Sequence, residues 1–214
     1  MVTCNKHPSV IIAAMSSGDK DNGISEDSTL AERARAGDPG AFEEIFLRYR
    51  GQVYSLAYRM TGNAPDAEDV CQEVFLKAMR KIGSFEGRST LSTWLYRVAI
   101  NVSKDHLRKK RRSAEVLRDD EIPEAEVKEV PLVQQNGGPE SRAISSEARR
   151  VVREALLELP LSLRAPLVLH ELEGLEYHEI SRMLRLPVGT VKSRIFRSRV
   201  RLAEILEPHK EQWS

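Results

Sequence analysis

Two amphipathic helical patterns near the C-terminal end of the chain are separated by only three residues, and this spacing restricts the fold more than any other feature. The first pattern, YHEISRML, runs from Tyr177 to Leu184, and the second begins at Val188. A helix, a tight turn and a second helix form the arrangement in which the second helix enters the major groove of DNA. Arg185 lies where such a turn often needs glycine, and a left-handed arginine there would cost about 1 kcal/mol.

The second helix has an apolar side and a basic side when its residues are placed about 100° apart. The side predicted to pack inward consists of Val191, Ile195, Leu202, Ile205 and Leu206, with the small Ser198 among them. The outward side carries Lys192, Ser193, Phe196, Arg197 and Val200, flanked by Arg194, Arg199 and Arg201. A lone basic helix is more often a solvated surface helix. The turn spacing and the lack of any acid between residues 188 and 201 favour a DNA-reading helix instead.

The distribution of charge is more informative than its sum. The 214 residues include 33 basic and 32 acidic side chains, so net charge alone does not indicate a nucleic-acid partner. Residues 77–112 carry eleven bases and two acids, and residues 113–147 carry three bases and nine acids. The chain is therefore basic, then acidic, then basic again.

Helical periodicity predicts an all-α fold of two small helical domains joined by a flexible acidic linker, the C-terminal domain being the helix-turn-helix. Ser28 is the expected N-cap of the first helix, and Asp38-Pro39 that of the second. Further helices are expected over 66–82, from Ser92 or Thr93 to about Lys110, over 146–159 and over 163–171. The predicted organisation is a disordered extension over 1–27, a first domain over 28–112, a linker over 113–145 and a second domain over 146–208.

A basic stripe follows the loop Ser84 to Ser92. Residues spaced at helical intervals along it are Arg97, Asn101, Lys104 and Arg108, which could track a phosphate backbone. The helical wheel places Trp94 at the head of this stripe, where an exposed indole could stack on an unpaired base. A tryptophan taken alone is more often part of a core, and the adjacent stripe is what favours exposure.

The helix predicted over 66–82 has an outward face that includes apolar side chains. This face carries Asp69, Gln72, Glu73, Leu76, Met79 and Arg80, and it suggests a docking surface for a protein partner. Single exposed leucines are common, so the pattern alone is weak. Cys71 points inward and is expected to be a small buried hydrophobe.

No motif for catalysis, a cofactor or a metal is present in the sequence. The chain has no P-loop, GxGxxG, GxSxG or HExxH pattern, and Cys4 and Cys71 have no CxxC partner. We therefore expect no enzymatic activity, no cofactor and no metal. The longest early apolar run, residues 10–15, is too short for a membrane span, so a cytoplasmic protein without membrane insertion is expected.

Three segments carry a resemblance to a known family. They are DAEDVCQEVFLKAMRKIGSF, then STWLYRVAINVSKDHLRKKRR and, after an acidic stretch, LELPLSLRAPLVLHELEGLEYHEISRMLRLPVGTVKSRIFRSRVRL. Together they resemble a bacterial sigma factor of the extracytoplasmic-function group. The resemblance implies that the 66–82 helix binds the β′ clamp helices of RNA polymerase through Asp69, Gln72, Glu73 and Leu76. It implies that the loop from Ser84 and the following helix open the minus-ten element, with contacts from Arg88, Trp94, Arg97, Asn101, Lys104 and Arg108. It also implies that the last helix reads the minus-thirty-five element through Lys192, Ser193, Phe196 and Arg197, flanked by Arg194 and Arg199.

The partners implied by this resemblance are core polymerase, at the β′ clamp helices and β flap, promoter DNA and an anti-sigma factor that could hold the protein at the membrane. One alternative is a helix-turn-helix regulator that binds duplex DNA without core polymerase, which would leave the first domain unexplained. A second is a recombinase-like nucleic-acid enzyme, which would need a nucleophile with activating partners.

Overall fold

The computed structural model describes residues 23–116 and 139–209, and it divides them between two helical units. The first unit contains α1 (Gly23–Arg35), α2 (Pro39–Thr61), α3 (Ala64–Lys81), a 3-10 turn (Ile82–Ser84) and α4 (Leu91–Val116). The second contains α5 (Pro139–Glu158), α6 (Leu161–Glu171), α7 (Tyr177–Leu184) and α8 (Val188–Leu206). No strand occurs in either described range, so the all-α expectation is confirmed.

The helix ends in the first unit follow local capping chemistry. Asp38 caps α2 by accepting hydrogen bonds from the backbone N–H groups of Gly40 and Ala41. Gly62 ends α2 with φ +87°, a left-handed conformation that favours glycine. The side chain of Asn63 then accepts a hydrogen bond from the backbone N–H of Asp66 and caps α3. This helix begins at Ala64, two residues earlier than the sequence predicted.

α2, α3 and α4 pack against one another, and α1 packs on α2. The fully buried side chains at their centre are Ile45, Val53, Leu56, Met60, Val70, Val74, Leu91 and Leu95. Together with the buried Tyr49, these positions recur every three or four residues along each helix, so each helix has one apolar side facing the others.

The prediction that Ser28 caps the first helix is wrong, because α1 begins at Gly23. This start lies within the predicted disordered extension over 1–27, of which residues 1–22 are outside the described residues. One tertiary contact explains the longer helix. The buried Asp27 carboxylate accepts a hydrogen bond from the hydroxyl of Tyr49 on α2. Burial raises the pKa of Tyr49, so it remains a donor.

Both ends of the predicted linker over 113–145 are helical. α4 continues to Val116, and α5 begins at Pro139, a residue favoured in the first turn of helices. The straight-chain residues at the end of α4 are good helix formers, which explains the extension past Lys110. Residues 117–138 lie outside the described residues.

In the second unit α8 packs against α5, α6 and α7. The buried residues that join these helices include Val152, Leu167, Leu169, Ile180, Val191, Ile195 and Leu202. Arg164 is buried and donates hydrogen bonds to the backbone carbonyls of Leu157 and Leu159. Its guanidinium thereby satisfies carbonyl groups at the C-terminal end of α5.

Candidate nucleic-acid interface

The turn before α8 is held by the last residues of α7. Arg185 has φ +55° and ψ +49°, so it adopts the left-handed conformation anticipated from the sequence. Its backbone N–H and that of Leu186 both donate to the carbonyl of Ser181, and the Ser181 hydroxyl donates to the Leu186 carbonyl. Two backbone bonds and one side-chain bond therefore offset the strain at Arg185.

The outward face of α8 is exposed as the sequence predicted. Lys192, Ser193, Phe196 and Arg197 are all exposed, and the Phe196 side chain is 66% exposed. On the other side Val191, Ile195, Ser198, Leu202 and Leu206 are buried. The Ser198 hydroxyl donates to the Leu163 carbonyl at 2.9 Å, so a small residue at this position lets α8 approach α6 closely.

Two of the three arginines predicted to flank this face, Arg194 and Arg199, differ from the four outward residues. Arg199 donates to the carboxylate of Glu171 through both Nε, at 2.8 Å, and a terminal nitrogen. Glu171 ends α6 and its side chain is only 12% exposed, so this ion pair joins α6 to α8. Arg194 is half-buried. The sequence pattern missed the internal partner of Arg199 because Glu171 is 28 residues away.

The basic stripe on α4 forms one continuous exposed surface. Arg97, Asn101, Lys104 and Arg108 are all exposed, and the opposite side of the helix is buried through Leu95, Ala99 and Val102. Arg88, in the preceding loop, has an 85% exposed side chain paired with Glu86 at 2.8 Å. The predicted exposure of the four stripe side chains, from Arg97 to Arg108, is confirmed.

The predicted exposure of Trp94 is wrong. Its side chain is only 5% exposed, and its indole packs edge-on against the ring of Phe85 with 5.7 Å between ring centroids. Phe85 follows the 3-10 turn and is itself 3% exposed. A helical wheel gives the angle of a side chain around its own helix, but it cannot show that a neighbouring segment covers that side. Trp94 in this conformation cannot stack on a base.

The outward face of α3 contains the four residues predicted to bind polymerase. Asp69, Gln72 and Glu73 are exposed, and the apolar Leu76 and Met79 are each 51% exposed. Glu73 pairs with Lys77 at 2.7 Å. The inward side is buried, and burial raises the pKa of the Cys71 thiol to about 11. Cys71 is therefore the small buried residue that the sequence indicated.

A polar cluster at the start of α3 was not anticipated. The Asp66 carboxylate accepts from Asn63 at 2.7 Å and from Lys110 at 2.6 Å, and it lies 3.2 Å from the His106 ring. Burial raises the pKa of Asp66, but the hydrogen bonds from Lys110 and Asn63, together with the nearby His106 ring, outweigh that effect and lower it overall. The cluster joins α3 to α4 across 44 residues, so no local pattern could have found it.

Because the pKa of Asp66 is lower in the folded protein than the ordinary value of 3.8, Asp66 stabilises the fold above that pH. The stabilisation is lost as the pH falls through the folded-state pKa. We expect the difference in unfolding free energy between wild-type and Asp66→Asn to be largest near neutral pH and to shrink below about pH 4. Urea unfolding between pH 3 and 7 measures it. Asp105→Asn removes an exposed carboxylate of the same unit and serves as the control. If the unfolding free energies of wild-type and Asp66→Asn fell by the same amount as the pH was lowered, the role of the cluster would be contradicted.

Within the described ranges, no group of three or more histidine, cysteine or acidic residues is arranged to hold a metal ion. In those same ranges, no helix has both the length and the apolar character needed to span a membrane.

Both helical units match known protein families. Residues 45–113 match the family described as Sigma-70 region 2, and residues 149–202 match that described as Sigma-70, region 4. The chain is 38% identical over 189 residues to the RNA polymerase sigma-H factor of Pseudomonas aeruginosa, covering 86% of this chain and 95% of that protein. It is also 38% identical over 182 residues to the ECF RNA polymerase sigma-E factor of Escherichia coli K12, covering 85% and 95% respectively.

Two solved structures share the fold. The sigma factor RpoE of Bartonella quintana, solved with the anti-sigma factor NepR, matches with a TM-score of 0.63 and 25% identity over 78% of this chain and 96% of that chain. CnrH, solved with the cytosolic domain of CnrY, matches with a TM-score of 0.59 and 23% identity over 85% and 97%. Because both helical units match in order and the curated relatives are matched over nearly their whole length, the chain belongs to the extracytoplasmic-function (ECF) group of sigma-70 RNA polymerase sigma factors.

Proposed function

We propose that this sigma factor uses three separate faces to start transcription. The α3 face, formed by Asp69, Gln72, Glu73 and Leu76, binds core polymerase. The α4 stripe and the loop before it bind the minus-ten element as it opens. The α8 face, formed by Lys192, Ser193, Phe196 and Arg197, binds the minus-thirty-five element in the major groove.

The observation that carries this proposal is that the basic side chains of α4 and α8 are exposed on faces opposite each helix's buried side. A DNA-binding surface needs such cations because neutralising phosphates releases condensed counterions. On α8, Lys192 and Arg197 also supply the donors that suit phosphates and guanine edges. On α4, the stripe has the regular spacing needed to follow one strand.

At the minus-ten element, the loop from Ser84 to Ser92 replaces Trp94 as the candidate for base capture. The loop contains exposed Glu86 and Arg88, and Gly87 with φ +69°. Base capture by an exposed loop costs a few kcal/mol of unstacking, offset by contacts to the extruded base and the strand. Arg88 and the α4 stripe supply the backbone contacts.

The factor acts in the cytoplasm as a binding protein without catalysis of its own. Its partners are promoter DNA and core polymerase, which it contacts at the β′ clamp helices and the β flap. An anti-sigma factor is a further proposed partner, because the matched structure of the Bartonella quintana relative is a complex with one. Such a partner would compete for the faces that bind polymerase and DNA.

The deciding experiment is in vitro transcription with core polymerase, using promoters selected from a randomised duplex library by the reconstituted holoenzyme. Permanganate footprinting of the start region then measures strand opening. We expect transcripts and reactive thymines only when this protein and core are both present. Duplex binding by the protein without core binding, or core binding without opened thymines, would contradict the proposal and favour a simple duplex-binding regulator.

Removing the guanidinium of Arg197 should weaken promoter recognition by holoenzyme about 10- to 100-fold, because a good base contact contributes about 1–3 kcal/mol. Binding of fluorescent promoter duplexes by Arg197→Ala holoenzyme measures the loss. Arg150→Ala is the matched control, since Arg150 is an exposed arginine on α5 that pairs with Glu154 at 2.8 Å. Equal losses in the two variants would mean that bulk charge, and not the α8 face, accounts for binding.

A further inference from the structure

Three side chains from three helices form a stack beside the DNA-reading face of the second unit. The ring of His170 on α6 lies against that of Tyr177 on α7, with 4.5 Å between centroids and 30° between planes. The ammonium of Lys192 on α8 lies over the Tyr177 ring, 5.6 Å from its centroid. We refer to these residues as the 170–177–192 stack.

The stack is fixed at its His170 end. The Nδ1 atom of His170 lies 2.9 Å from the backbone carbonyl of Leu175, in the loop between α6 and α7, and as an N–H donor it hydrogen-bonds to that carbonyl. Leu175 is buried, so its carbonyl belongs to a packed part of the unit. The histidine, held by this hydrogen bond, therefore contacts the same tyrosine ring that the lysine ammonium contacts.

The contact restricts Lys192 without using up its hydrogen-bonding capacity. A lysine side chain has four rotatable bonds and loses much conformational entropy when it binds a ligand. An ammonium within about 6 Å of a ring centroid is attracted by the ring quadrupole. Its N–H groups that point away from the ring stay available to an anion. Lys192 is exposed and so accessible to DNA, and its contact with the Tyr177 ring restricts the side chain before DNA binds.

The direction of the contact distinguishes between the two kinds of DNA group that Lys192 could bind. Tyr177 is the first residue of α7, the helix that precedes the DNA-reading helix. In helix-turn-helix domains that preceding helix crosses the sugar-phosphate backbone, whereas base edges face the recognition helix. A lysine drawn towards the start of α7 is therefore drawn towards the backbone.

We propose that Tyr177 is a positioning residue that, steadied by His170, holds the Lys192 ammonium for a backbone phosphate of the promoter rather than for a base edge. The inference rests on the proposed role of α8 in binding the minus-thirty-five element. The inference gives the two residues of that face different roles. Lys192 supplies sequence-independent affinity, and Arg197 supplies base discrimination.

The test is a double-mutant cycle in reconstituted holoenzyme, with a promoter duplex selected from the randomised library as the probe. Tyr177→Leu removes the ring, Tyr177→Phe keeps the ring but removes the hydroxyl, and Lys192→Gln removes the charge. We expect Tyr177→Leu to weaken binding about two- to five-fold in the wild-type background. We expect no further loss in the Lys192→Gln background, and near wild-type binding for Tyr177→Phe.

Two further readouts separate positioning from a structural role. Lys192→Gln should reduce the slope of log affinity against log salt by about one, the value for one lost phosphate contact. It should weaken the selected promoter and its base-substituted variants by the same factor. Equal losses from Tyr177→Leu in both Lys192 backgrounds would overturn the proposal, as would a Tyr177→Phe variant as weak as Tyr177→Leu or a Lys192→Gln loss confined to one sequence.

Failure of the inference and failure of the proposed function give different results. If Arg197→Ala and Lys192→Gln both leave promoter binding unchanged, the α8 face does not bind the minus-thirty-five element and both proposals fall. If both substitutions weaken binding but Tyr177→Leu and Lys192→Gln act additively, only the positioning role of Tyr177 is overturned.

Discussion

Trp94→Ala should destabilise the first helical unit by about 3–5 kcal/mol, the range for truncating a large buried aromatic side chain. The reason is the position of Trp94, which is 5% exposed and packs against the buried Phe85. Removing the indole leaves a cavity beneath the loop that leads into α4. The loss should therefore extend to the segment around Phe85 as well as to the first turn of the helix.

Hydrogen exchange followed by mass spectrometry measures this effect separately for the two units, because peptides from 23–116 and from 139–209 are distinguished. We expect faster exchange in the first range for Trp94→Ala and little change in the second. Arg97→Ala is the control on the same helix, since Arg97 is exposed and surface substitutions usually change stability by less than about 0.5 kcal/mol. If Trp94→Ala kept wild-type protection and failed only in strand opening, the indole would have to reach the DNA in another conformation.

Leu76→Asp should reduce the affinity for core polymerase by about 30-fold or more, the effect of losing about 2 kcal/mol at the centre of an interface. Leu76 is 51% exposed and lies beside the equally exposed Met79, so the pair forms the apolar part of the α3 face. A carboxylate at this position would be desolvated on binding without a compensating partner. It would also add negative charge beside Asp69 and Glu73.

Competition between labelled wild-type protein and unlabelled variants for core polymerase measures the loss. Leu47→Asp is a close control, because Leu47 is a leucine of the same unit that is 70% exposed and lies on α2. We expect that variant to bind core like the wild type. Equal losses in Leu47→Asp and Leu76→Asp would show that the α3 face has no special role. Both substitutions are at exposed positions, so unfolding should not obscure the comparison.

The outward face of α8 could be predicted from the sequence because one regular helix packs with a single apolar side. Val191, Ile195 and Leu202 fix which side is buried, and the positions of Lys192 and Arg197 then follow from the helical repeat. The same reasoning worked for α4 from Arg97 onwards. In both cases the exposed side chains lie on a face that no other segment covers within residues 23–116 and 139–209.

The same method failed for Trp94 because the segment that covers it is not on its helix. Phe85 lies in a loop, and the wheel contains no information on where that loop folds. The start of α1 was missed for a related reason, since the buried hydrogen bond between Asp27 and Tyr49 joins positions 22 residues apart. Local capping signals at Ser28 could not compete with that contact.

The two helical units, the family and the outward faces of α3 and α8 could be predicted, because they depend on helical periodicity and on motifs within short segments. The packing of the folded chain was needed to show that Trp94 is core, that Glu171 holds Arg199, that Asp66 joins α3 to α4 and that Tyr177 lies under Lys192. Each of these contacts joins side chains from different segments of the chain. Their energies depend on distance in space, which helical periodicity does not encode.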